Sequence, residues 1–193
     1  MPSDVPAVAD PEIAAAVFAD HLTRVQTGEQ ARSNGWAFTR LDPLHVVVTV
    51  SGKRQSGERD EYRVKLGAEY YDVYPPTTSF VCPPRPATGN QPAREGWTEA
   101  PPGSRWLPAV APLEWFAIHP AYSFPGGVAN ARDGVPRQLV CCSMTFEYYI
   151  SSHQPNAGQR WQQGRHTLGA TLTRIQDALT SEQYQGPAGA VDP

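Results

Sequence analysis

Lysine is almost missing from this chain: Lys53 and Lys65 stand against fourteen arginines in 193 residues. Long apolar runs are missing too. None reaches the ~18–20 residues that a membrane span requires, and Met1 to Pro6 carries neither the basic nor the apolar region of a signal peptide. These absences lead to the expectation of a cytoplasmic chain with no membrane partner. Cysteine is scarce, three in all, with Cys141 and Cys142 adjacent. That is too few for a disulfide framework, and no Cys-x-x-Cys spacing occurs. The five histidines are scattered, so neither a zinc site nor any other cofactor is expected. Strong net charge is also lacking, and −3 gives no electrostatic case for nucleic acid.

What is present describes a folded globule. Hydrophobic residues make up 40% and aromatics 10% of a length suited to one domain with a real core. Asp10-Pro11-Glu12 starts a helix, since Asp can accept free amides and Pro suits the first turn. Ile13, Val17, Phe18, Leu22 and Val25 then share a helical stripe as far as Gly28. Residues 36–41, 45–50, 59–68 and 77–82 read as strands at short spacing, which implies an antiparallel meander. Ten of the twenty prolines lie between Pro75 and Pro112, so that stretch is neither regular helix nor central strand. It is either an ordered irregular insertion or a mobile loop. The apolar run 139–150 holds the paired cysteines. A second helix over 167–181 aligns Leu168, Leu172, Ile175 and Leu179. The order predicts an α+β fold, one domain over 1–185 and a disordered tail at 186–193.

Five local patterns, in this order, resemble the ubiquitin-conjugating enzymes. Tyr70-Tyr71-Asp72-Val73-Tyr74-Pro75-Pro76, leading into Thr77-Thr78-Ser79-Phe80-Val81, is similar to that family's tyrosine–proline-proline turn and following strand. Ile118-His119-Pro120 resembles the start of its His-Pro-Asn motif. Cys141-Cys142-Ser143-Met144 resembles its Cys-Leu-Ser-Ile active-site segment. Trp161, and then the helix from Thr167 to Leu179, resemble its tryptophan and crossing helix. The resemblance covers roughly residues 10 to 185. It implies an N-terminal helix, a four-stranded antiparallel meander, an irregular active-site segment and a crossing C-terminal helix. It also implies a function: accepting a ubiquitin-like protein from an activating enzyme as a thioester on Cys141, and passing it to an amine of a protein target. The arginine-for-lysine bias, with abundant Ala, Gly and Pro, suits a divergent bacterial member. Such members sit in small conjugation operons linked to antiphage defence. The chain departs from the family at Ala121, where the asparagine would stand, in the inserted segment 83–112, and in the acidic first helix with Asp10, Glu12 and Asp20 against Arg24.

The chemistry asked of the cysteine is modest. A thiolate attacks a thioester readily and leaves readily when an amine arrives, provided the thiol can be reached and donors can hold the tetrahedral oxyanion. Cys141 follows a loop rich in Gly and Pro, as such a thiol should, and Cys142 is expected to point inward. On sequence texture alone both read as core residues of an apolar strand, and it is the resemblance to the family's segment and to Trp161 that singles out Cys141. His119 is expected to steady the active-site loop, and Asn130 or His153 to replace the missing asparagine or prepare the incoming amine. For each, a plain loop or structural residue is the competing reading. An inactive adaptor that binds a ubiquitin-like protein or its activating enzyme is the alternative function, favoured by Ala121. A Cys–His protease dyad is a weaker rival, because no protease signature surrounds the cysteine.

Overall fold

The computed structural model describes residues 6–89, 91–124, 135–153 and 155–193. Helix α1, Pro11–Thr27, begins where its sequence requires: the Asp10 carboxylate accepts the Glu12 and Ile13 amides at 3.0 and 3.1 Å. It buries Ala14, Phe18, His21 and Leu22. Ile13, expected on that stripe, is 65% exposed. The buried arc is rotated toward His21, whose Nδ1 lies 2.7 Å from the Tyr71 hydroxyl. A short second helix, α2 (Glu29–Asn34), ends at Gly35, whose φ of 66° is the left-handed conformation that only a residue without Cβ adopts freely.

The chain then runs through β1 (Ala37–Asp42), β2 (His45–Lys53), β3 (Arg59–Gly67) and β4 (Thr77–Cys82), each antiparallel to the one before. A two-residue strand, β5 (Thr98–Glu99), pairs with β4 and makes the sheet five-stranded in sequential order. Alternation along the strands turns Val46, Val48, Val50, Tyr62, Val64, Leu66, Phe80 and Cys82 into one core. The segment between Pro83 and Pro112 is built rather than loose. It contributes β5, a bridge between Arg85 and Arg94, and a three-residue strand, β6 (Pro108–Val110).

Next come β7 (Ala117–Tyr122) and β8 (Arg137–Cys141), which pair antiparallel with each other, and a single helical turn, α3 (Phe146–Tyr149). Helix α4, Leu168–Leu179, starts at Thr167, whose hydroxyl accepts the Gly169 amide. Its apolar stripe Leu168, Leu172, Ile175 and Leu179 is wholly buried against the sheet core, as its periodicity predicts. Gln176 ties it further, accepting the Trp36 indole N–H at 3.0 Å and donating to the Ser51 carbonyl at 2.8 Å.

The fold is therefore α+β, with four helices and an antiparallel five-stranded sheet among the described residues. The expectation of a disordered tail from residue 186 does not hold. Strand β9, Tyr184–Pro187, pairs with β6, and Val191 bridges Ser104. Composition misled here because the Gly- and Pro-rich end finds its partners in the equally Pro-rich segment far upstream. Among the described residues no helix is long and apolar enough to cross a membrane.

Candidate active site

The β7–β8 ladder decides which residues meet. Ala117 pairs with Cys141 and His119 with Leu139. Because side chains alternate, residues 117, 119, 139 and 141 share one face, with His119 and Cys141 on the diagonal. The opposite face carries Ile118 and Val140 into the main core. The turn after β8 is pinned by Thr145, fully buried, whose hydroxyl lies 2.6 Å from the Val140 carbonyl and 2.8 Å from that of Cys142. Met144 is held from the helix side by Thr171, which donates to its carbonyl at 2.6 Å. The adjacent cysteines consequently diverge. Cys142 packs into the core cluster, whereas Cys141 lines a cleft of about 260 Å³.

That cleft gathers Cys141, His119 and His153 with Ser143, Tyr148 and Gln159, walled by Trp115 and Arg174. The Cys141 sulfur lies 3.8 Å from Nδ1 and 3.9 Å from Nε2 of His153. His153 stacks on Tyr148, rings 5.3 Å apart, and its ring centre is 6.4 Å from that of His119. Burial pushes the Cys141 thiol up to about 11, and that of Cys142 to about 12. At pH 7, therefore, Cys141 rests as the neutral thiol. Burial, and then the nearby His153 charge, hold His119 below the ordinary histidine value, which keeps it neutral at pH 7.

Of the expected site residues, the fold brings Cys141, His119 and His153 together, and Asn130 lies outside the described residues. His119 does not tie a loop to backbone. It sits within β7 against Tyr122, with no hydrogen-bond partner among the described residues. Ala121 is exposed on the same strand and offers no donor. Sequence reasoning missed Tyr148, Ser151, Trp115 and Arg174. Trp115 reaches the cleft from the turn before β7, and the Arg174 guanidinium lies 5.2 Å from its ring centre. Only Ser151, two residues before His153, carries a local signal, because a hydroxyl at that spacing can reach the ring.

The chemistry available is that of a neutral thiol in a walled cleft, beside an imidazole and several donors. Among the described residues no cluster of three or more His, Cys, Asp or Glu is placed to hold a metal ion. No family model, curated protein or solved structure matches this chain.

Proposed function

We propose that this protein is a conjugating-type transferase of the ubiquitin-conjugating-enzyme fold. It takes a ubiquitin-like protein from an activating enzyme onto Cys141 and passes it to an amine of a protein target. The carrying observation is the placement of Cys141. Of the two adjacent cysteines it alone lines the cleft, with His119 and His153 beside it. The element order supports the same reading: a helix, four sequential antiparallel strands, an irregular segment, the cysteine and a crossing helix.

The raised thiol separates this reading from a protease dyad. Hydrolases of that kind rest on a thiolate–imidazolium pair with a depressed cysteine pKa, often at a helix N-terminus. Cys141 stands at the end of a strand with its pKa pushed the other way. Thioester exchange tolerates this, since attacking and leaving groups are both thiols: the Cys141 sulfur bonds the acyl carbon, and the activating enzyme's thiol departs with the proton. The adaptor reading also has an observation in its favour, because Cys141 is only 7% exposed.

One experiment separates them. Incubation with the activating enzyme, ATP and ubiquitin-like protein should give a slower gel band that vanishes on reduction. Cys141→Ser should give a reduction-resistant band or none, and Cys142→Ala should keep the reducible band. A band that depends on Cys142 and not on Cys141 would move the acceptor by one residue. No band at all would leave the adaptor.

A further inference from the structure

The hydrogen bonds around His153 fix which of its nitrogens is basic. The Ser151 hydroxyl has a single proton and lies 2.8 Å from the Tyr148 carbonyl, which can only accept, so the proton points there. The Ser151 oxygen is then left as an acceptor. It takes the His153 backbone amide at 3.3 Å and lies 2.8 Å from His153 Nδ1. At that distance Nδ1 must carry a proton to donate, and neutral His153 therefore keeps its lone pair on Nε2, 3.9 Å from the Cys141 sulfur. Stacking on Tyr148 holds the ring in the cleft.

From this arrangement we infer that His153 is the proton carrier of the transfer step and Ser151 the residue that positions it. The inference rests on the thioester reading of Cys141. In the step, the acceptor amine nitrogen bonds the thioester carbon and an amine proton passes to Nε2 of His153. The carbon–sulfur bond breaks, the electron pair leaves with sulfur, and the imidazolium returns the proton to it. The products are an amide and the neutral Cys141 thiol, and His153 ends as it began. The returned proton matters here because burial makes the Cys141 thiolate a poor leaving group. His153 touches the reacting atoms, whereas Ser151 acts only through it.

The test needs no partner protein. A synthetic peptide ending in Gly-Gly, supplied as a small-thiol thioester, charges Cys141 by exchange, and free lysine then discharges it. Both steps are followed by intact mass. His153→Gln should charge like the wild type and discharge about 10²-fold more slowly. Ser151→Ala should discharge at least about tenfold more slowly, and Ser151→Thr, which keeps the hydroxyl, should recover most of the loss.

The pH profile distinguishes proton transfer from a merely structural role. Below the pH at which His153 takes up a proton, both amine and base must lose one, so the logarithm of the rate rises with slope two. Above it the slope is one. His153→Gln should show slope one throughout, whereas Ser151→Ala, which keeps the imidazole, and His119→Gln keep the break whatever their rates. Among the described residues, the other ionisable groups facing His153 across the cleft are His119, Tyr148, Glu114 and Arg174, since Cys141 is acylated in the charged enzyme. Nitrogen-15 shifts of wild-type His153 at high pH should show Nδ1 protonated and Nε2 bare. A proton on Nε2, or variants that discharge at the wild-type rate with an unchanged profile, would overturn the relay and leave the thioester reading standing. Failure of the wild type to charge at all would sink the thioester reading and the relay together.

Discussion

At the scale of single residues, side-chain size decides more than side-chain chemistry. Gly52 lies under the Tyr184 ring, and a Cβ there would sit 2.5 Å from Cζ. That ring cannot retreat freely, because its hydroxyl is 2.7 Å from Asp60 and 2.6 Å from the Tyr62 hydroxyl, and Arg54 grips Asp60 with two bonds of 2.7 Å. Gly52→Ala should therefore destabilise by about 1–3 kcal/mol, the usual range for overpacking, measured by urea unfolding. Double replacement with Tyr184→Phe should not rescue it, because the clash is with the ring and not only with the hydroxyl. Thr145→Val tests the turn that separates the two cysteines. The new methyl matches the old volume but takes the hydroxyl donor from the Val140 carbonyl, while the Cys142 carbonyl keeps the Thr145 backbone amide at 3.0 Å, at a cost of about 1–3 kcal/mol. Alkylation of Cys141 should quicken at the same time, as the turn loosens. Unchanged stability and unchanged alkylation would show that the turn holds without the hydroxyl.

At the scale of elements, the long amphipathic segments were legible and the site was legible only in part. Strand alternation and the α4 stripe are strong signals because each residue in the pattern meets the same core. Leu172→Ala or Ile175→Ala should each cost about 2–5 kcal/mol in chemical denaturation, since both side chains are fully buried. A cost under 1 kcal/mol for both would mean that α4 is not packed as described. The α1 stripe was misjudged at Ile13 because apolar periodicity alone leaves room for a rotation of one position, and the His21–Tyr71 bond marks the rotation observed. In the site, Cys141 was found from its neighbours in sequence. Tyr148, Trp115 and Arg174 were not, because they reach the cleft from α3, a turn and α4, and Ser151 was not, because it enters only through His153. Tyr148, Trp115 and Arg174 carry ordinary side chains at ordinary positions, and only tertiary proximity brings them to the site.

At the scale of the whole molecule, the balance of a buried and a half-buried histidine sets the response to pH. His45 places Nε2 2.8 Å from Glu69 and Nδ1 2.8 Å from Asp42, so both nitrogens donate only when the ring is protonated. The bond to Glu69, and then that to Asp42, raise the His45 pKa above 6.5. Its contribution is full below 6.5 and is lost as pH rises through the raised value. His21 does the opposite: burial, and then Arg24, lower its pKa, so its contribution is full above 6.5 and fades as pH falls. The melting temperature should therefore pass through a maximum near pH 6.5, and His45→Asn should flatten the decline above it. A decline that persists in this variant would assign the effect to other groups.

The pairing of β6 with β9 has a consequence in time rather than in space. Arg94 meets Asp192 across 98 residues of chain, and ribosomes add roughly 5–20 residues per second. For several seconds of every round of translation, the proline-rich segment has been made while the strand that completes it has not. Its exposed strand edge must be kept apart from other nascent chains until residues 184–192 emerge. Those later residues therefore govern how safely the earlier ones fold.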